Sequence, residues 1–200
     1  MGPLGELHLD ALKEIVNTGV GRAAASLNVM LDSHIDLEVP SIRVLSGADL
    51  ERSNTLGSEE LACVQLAFQG FFTGSALLVF PPQSAVKLVA ALTGEAPDAP
   101  ALNAVMAGTL NEVGNIVING VIGTIGNILA KPFDFSLPNY LEGRLADLLK
   151  PAAPAAALTI LVMQTHFRVH DRQVEGNIFL LFELGSFDAL LEAIDRLIPR

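Results

Sequence analysis

Residues 10–40 recur at a fixed distance in residues 108–138. Glu14, Asn17 and Pro40 reappear 98 positions later as Glu112, Asn115 and Pro138, and Gly108 stands in the place of Asp10. The apolar positions recur with them. Leu12, Val20, Ala23, Leu27 and Met30 are answered by Leu110, Ile118, Val121, Ile125 and Ile128. Val16 alone loses its match, to Gly114. One coincidence of Glu and Asn would mean little. A constant offset through two polar positions, a proline and most of an apolar stripe means an internal duplication. The chain must therefore close as two like halves, roughly residues 1–96 and 97–200, within one domain.

The repeated stretch is helical by its spacing. At ~100° per residue, Asp10, Glu14, Asn17, Gly21 and Asn28 fall in one stripe. Leu12, Val16, Val20, Ala23, Leu27 and Met30 fall opposite. The apolar side packs on a core. The polar side carries an acid, an amide and then the small residues Gly21, Ala24 and Ala25. That is a flat surface with two reaching side chains, suited to docking against another protein.

The rest of the chain reads as strands and short helices. The first helix runs from about Leu7 to Leu31. Ile35 to Val39 alternates as a half-exposed strand does, Pro40 interrupts it, and Ser41 to Leu45 continue it. Ser46 to Ser58 is polar and reads as a loop. Leu61 to Gln69 and Phe72 to Phe80 form a hairpin around Gly70. Gln83 to Leu92 is a helix closed by Gly94, and Glu95 to Pro100 links the halves. The second half replays this order: a helix over Ala101 to Ala130, a strand over Phe133 to Leu137 ended by Pro138, and a loop or short helix over Asn139 to Lys150. Strands over Leu158 to His170 and Val174 to Phe182 follow, then a helix over Ser186 to Leu197. Short turns make the strand pairs antiparallel. The expected fold class is α+β: a pseudo-twofold duplicated domain, an antiparallel sheet packed with two long motif helices and shorter helices.

Composition removes several function classes. A net charge of −10 and the lack of a basic patch argue against nucleic-acid binding. The one cysteine, Cys63, excludes an internal disulfide and a cysteine zinc site, and its apolar setting suits a core position. Met1 to Asp10 lacks the features of a signal peptide. Val113 to Ala130 is uncharged, but Asn115, Asn119 and Asn127 interrupt it at helical spacing, as in a buried helix rather than a membrane span. A cytoplasmic protein without a membrane partner is expected.

The candidate chemistry is narrow. Glu14 and Asn17 on one helix would read as solvated surface residues. The same pair in register on a second helix, Glu112 and Asn115, argues for function. Asn is a poor helix former, and mid-helix it gains nothing local. A carboxamide is neither base nor nucleophile; it donates and accepts hydrogen bonds, and it can orient a water. The pairs therefore form a positioning site that takes its remaining chemistry from a partner. His166 and His170 stand i, i+4, but in a strand reading and without a nearby Cys, so no metal site is expected. His8 and His34 show no partners in the sequence. Gly19-Val20-Gly21 and Gly120 to Gly126 lie inside helices, which removes the phosphate-loop readings. No nucleophile triad is visible.

At these residues the sequence resembles the CheC/CheX/FliY family of chemotaxis phosphatases. The family motif is Asp or Ser, three residues, Glu, two residues, Asn, twenty-two residues, Pro. Asp10, Glu14, Asn17 and Pro40 match it throughout; Glu112, Asn115 and Pro138 match the second copy, with Gly108 departing. The resemblance covers essentially the whole chain, and two motif helices make it CheC-like. It implies hydrolysis of the aspartyl phosphate on a CheY-like response regulator. Glu14 and Glu112 would fix docking by pairing with the receiver's lysine. Asn17 and Asn115 would orient the attacking water. Asp10 would support the first site, and Pro40 and Pro138 would be structural, each ending a strand beside its motif helix. No cofactor is expected on this chain, since the receiver carries the Mg²⁺. A CheD-like partner is a second family expectation, and the Leu- and Ile-rich helices leave room for a homodimer. The competing reading is a non-catalytic adaptor, since flagellar switch proteins of related fold bind phosphorylated regulators without hydrolysing them.

Overall fold

The computed structural model describes residues 5–31, 34–46, 60–97, 100–149, 159–169, 172–183 and 185–196. The elements are α1 (Glu6–Leu31), β1 (Ile35–Ser46), β2 (Glu60–Gly70), β3 (Gly74–Phe80), α2 (Pro82–Thr93) and α3 (Pro100–Ile128). They continue with β4 (Phe133–Phe135), β5 (Asn139–Arg144), α4 (Leu145–Leu148), β6 (Thr159–Val169), β7 (Arg172–Phe182) and α5 (Ser186–Asp195). The predicted loop over Ser46 to Ser58 falls almost wholly outside the described residues, as do His170 and part of the linker before α3.

All strand pairs are antiparallel, and the order is β1-β6-β7-β3-β2-β4, with β5 also on β2. The order is symmetric about its middle. Leu77 of β3 pairs directly with Phe179 of β7, and Phe179 is the residue that answers Leu77 in the second half. The pseudo-twofold runs through that pair. On one side β1 lines β6; on the other, β4 and β5 line β2.

The two motif prolines occupy matching irregularities. Glu38 pairs with His166, but Ser41 pairs with Gln164, so β1 carries one extra residue around Pro40. Phe135 pairs with Phe68 and Asn139 with Gln65, so the β4–β5 edge carries one extra residue around Pro138. A residue without an N–H suits a bulge, where no ladder donor is needed. Pro138 does separate two strands. Pro40, which the resemblance implies would end a strand, instead lies inside β1, which continues through Ser41 to Leu45 as the alternation predicts.

Alternation along the strands buries both faces. On β3, Ala76, Leu78 and Phe80 join the large core under the helices. Leu77 and Val79 face the other way, toward Cys63, Ile160, Val162, Phe179, Leu181 and the α4 region residues Leu145 and Leu149. The phenylalanines Phe68, Phe72, Phe133, Phe182 and Phe187 form a chain of tilted and edge contacts at 4.6–6.2 Å between ring centroids. Such contacts add to plain apolar burial.

α1 and α3 pack side by side over the sheet, at small residues. A β-carbon on Gly120 would lie 2.7 Å from that of Ala23. α3 is long and apolar enough, over Val105–Ile128, to cross a membrane by length and composition. Its Val113, Val117, Ile118, Val121, Ile122 and Ile125 are all 1% exposed or less, so its apolarity serves the core. Gly114 breaks the repeat because Val64 of β2 fills the space that its β-carbon would need.

Two further expectations are corrected. Asn139–Arg144 is a strand, paired with β2 from Gln65 back to Glu60, followed by one helical turn. Its Asn, Glu, Gly and Arg are weak strand formers, and the exposed edge of β2 overrides that propensity. Phe72 lies ahead of β3, which begins at Gly74.

Candidate functional site

α1 turns Asp10, Glu14, Asn17 and Gly21 to solvent and buries Leu12, Val16, Val20, Ala23 and Leu27 beneath them. Two placements differ from the sequence reading. Met30 and its counterpart Ile128 lie in the last turns of their helices and are 56% and 37% exposed. Asn28 leaves the polar stripe: its Oδ1 accepts the Ile35 N–H and so ties the end of α1 to the start of β1.

At the first pair the side chains are uncommitted. The carbonyl of Glu14 accepts the Thr18 hydroxyl at 2.9 Å. Among the described residues, neither the Glu14 carboxylate nor the Asn17 carboxamide has a hydrogen-bond or ion-pair partner. Asp10 lies 3.8 Å from the Lys13 ammonium, one turn away, and both are well exposed. Such a surface pair contributes at most a few tenths of a kcal/mol, so Asp10 remains available to a partner.

The second pair is built differently. Gly108 and Glu112 are exposed, and Asn115 is half-buried. Asn119 Nδ2 donates to Asn115 Oδ1 at 2.8 Å. In the sequence Asn119 reads only as an interruption of an apolar run. Its i, i+4 spacing from Asn115 was the available signal. Each Glu/Asn pair thus shares one face of its own helix, and Pro40 and Pro138 lie in the sheet edges, away from both pairs along the chain.

His8, which the sequence left without a partner, has one. Its Nε2–H donates to Asp195 at 2.7 Å, and its Nδ1 accepts the Gly5 N–H at 3.3 Å. The bond ties the start of α1 to α5, a distance of 187 residues along the chain that no local pattern shows.

Among the described residues, no other side chain offers reaction chemistry. Cys63 is fully buried, and desolvation pushes its thiol up to about 12, which removes it as a nucleophile at neutral pH. Burial raises the Tyr140 phenol, and its hydrogen bond to the Glu142 carboxylate at 2.6 Å adds to the effect. Among the described residues no three His, Cys, Asp or Glu side chains gather as a metal site.

Comparison with known proteins places the chain among chemotaxis proteins of like fold. A model of the CheC-like family matches residues 7–43, and that of the chemotaxis phosphatase CheX matches residues 62–160. The chain is similar to the CheY-P phosphatase CheC of Bacillus subtilis (strain 168), 24% identical over 198 residues and 94% of each chain. Among solved structures it is similar to Thermotoga maritima FliY, with a TM-score of 0.75, 16% identity, and 97% and 98% of the two chains covered. It is similar to the FliM middle domain of H. pylori, at 0.62, 11%, 94% and 99%. It is also similar to the CheX–CheY–BeF3–Mg²⁺ complex from Borrelia burgdorferi, at 0.50, 18%, 82% and 96%.

Proposed function

The chain belongs to the CheC/CheX/FliY family, and from that premise we propose that it hydrolyses the aspartyl phosphate of a CheY-like receiver. The observation that carries the reading is the pair of Glu/Asn faces, exposed at the first and with Asn115 half-buried at the second. The carboxylate and amide at the first are unengaged, and no nucleophile or metal cluster of the chain's own stands beside them among the described residues. Phosphoryl transfer from an acyl phosphate needs chiefly alignment and charge stabilisation. The receiver brings the phosphoryl group and, bound in its own acidic pocket, Mg²⁺. Glu14 and Glu112 pair with the receiver's lysine and set the docking angle. Asn17 and Asn115 enter the pocket and hold a water in line with the phosphorus. The water oxygen bonds to phosphorus, the phosphorus–aspartyl oxygen bond breaks, and the receiver's aspartate is restored with release of inorganic phosphate. Holding the water in line converts a random encounter into a positioned attack.

The name of the Bacillus subtilis relative and the CheY-bound CheX structure both support a receiver as substrate. The fold does not by itself make an enzyme, because the FliM middle domain shares it. The motif pairs are what favour catalysis over simple binding. The test is the split between rate and binding. Asn17→Ala combined with Asn115→Ala abolishes hydrolysis while the phosphorylated receiver still binds with little change. Equal losses of binding and rate would instead make the pairs a docking face, as the adaptor reading requires.

A further inference from the structure

Asn111, Asn115 and Asn119 follow one another at four-residue spacing, so α3 carries a stripe of carboxamides. Within it Asn119 Nδ2 donates to Asn115 Oδ1 at 2.8 Å, and Asn119 Oδ1 is enclosed without a hydrogen-bond partner. A buried carbonyl oxygen left unpaired is unfavourable. Asn119 therefore has no packing reason to be an amide; among the described residues the one side-chain bond it makes is to Asn115. On α1 the matching position is Gly21, where a β-carbon would meet nothing within 4 Å, and Asn17 has no such support.

We propose that Asn119 is a positioning residue of the second site: it holds the Asn115 carboxamide in one orientation, so that its Nδ2 is presented to the water. This rests on the phosphatase reading for its catalytic consequence. The first site orders its amide only when the receiver docks, and the second has it ordered beforehand. Ordering one side chain in advance is worth roughly two- to tenfold in rate.

The experiment has an activity arm and a structural arm. With the first site silenced by Asn17→Ala, adding Asn119→Ala lowers kcat roughly two- to tenfold at unchanged KM for the phosphorylated receiver. In an Asn115→Ala chain the same change has no effect. An equal effect in both backgrounds, or none in the first, overturns the proposal. The structural arm is ¹⁵N relaxation of the side-chain amides in the free protein. It shows Asn115 more ordered than Asn17 in the wild type and equally mobile after Asn119→Ala. Gly21→Asn confers order on Asn17 in turn. If the Asn115 amide is as mobile as that of Asn17 in the wild type, the proposal fails whatever the activity. If the chain hydrolyses no receiver but the amide orders are as stated, the phosphatase reading fails and the Asn119–Asn115 positioning stands.

Discussion

A β-carbon on Gly19 would lie 2.8 Å from the carbonyl oxygen of Gly120, so the two motif helices touch backbone to backbone at that point. The same extra carbon would stand 2.8 Å from Val121 Cα and 3.2 Å from Thr124 Cβ. These are rigid neighbours. Gly19→Ala gains about 1 kcal/mol of helix propensity but forces the helices apart, at a cost of about 1–3 kcal/mol. The net result is a destabilised protein. Gly21→Ala, two residues on, meets nothing within 4 Å and raises stability by up to about 1 kcal/mol. Urea unfolding of the two variants checks the contrast; a stabilised Gly19→Ala would refute the close contact.

Gly114→Val restores the residue that the repeat would place there, and it destabilises. Its side chain would occupy the space of the Val64 side chain, with an overpacking cost of about 1–3 kcal/mol. Val64→Ala in the same chain recovers part of that loss, although alone it is destabilising through the cavity it leaves. A double-mutant cycle with a coupling of about 1 kcal/mol or more is expected. Simple additivity would contradict the contact.

What was legible in the sequence follows from what repeats and what is local. The offset of 98 residues showed the two motif helices, and the apolar runs either side of Gly70 showed the hairpin of the central sheet. Asn139–Arg144 was illegible because its strand character comes from the free edge of β2 rather than from its own residues. Pro40 reads as an interruption of a strand that Ser41 to Leu45 continue, as β1 does; only the partner strand shows that the interruption is a bulge. Helical spacing puts Met30 on the buried face, but spacing cannot tell where a helix outruns its neighbours. The exposed Glu/Asn faces were readable from spacing alone. The Asn119–Asn115 bond and the His8–Asp195 bond depend on geometry that spacing allows but does not require.

Cys63 makes the fold sensitive to alkali. Burial raises its thiol from 9.0 to about 12. Its folded value is thus above its unfolded one, so its contribution is whole below about pH 9 and is lost as pH rises toward 12. Within that window stability falls by at most about 1.4 kcal/mol per pH unit from this group. Tyr140, raised by burial and by Glu142, acts in the same direction at higher pH. Urea unfolding at pH 8 and 10.5 shows the fall, and Cys63→Ala makes the slope shallower. The native thiol also resists alkylation at pH 8. Rapid labelling of the folded protein would contradict its burial.

The exposed motif side chains matter little to the fold. Glu14→Ala, Asn17→Ala and Glu112→Ala each change stability by under about 0.5 kcal/mol, as substitutions on open helix faces do. Thermal unfolding measures this directly. A loss above about 2 kcal/mol would mean that these residues hold the structure together rather than serve a partner.

The deciding measurement is the loss of ³²P from a labelled CheY-like receiver mixed with wild type, Asn17→Ala, Asn115→Ala and the double variant. The predicted result is rapid phosphate release by wild type, partial loss in each single variant and release no faster than the receiver alone in the double variant. Unchanged release by the double variant would contradict the assignment of the two asparagines. A wild type that binds the phosphorylated receiver without hastening its decay would make the chain an adaptor.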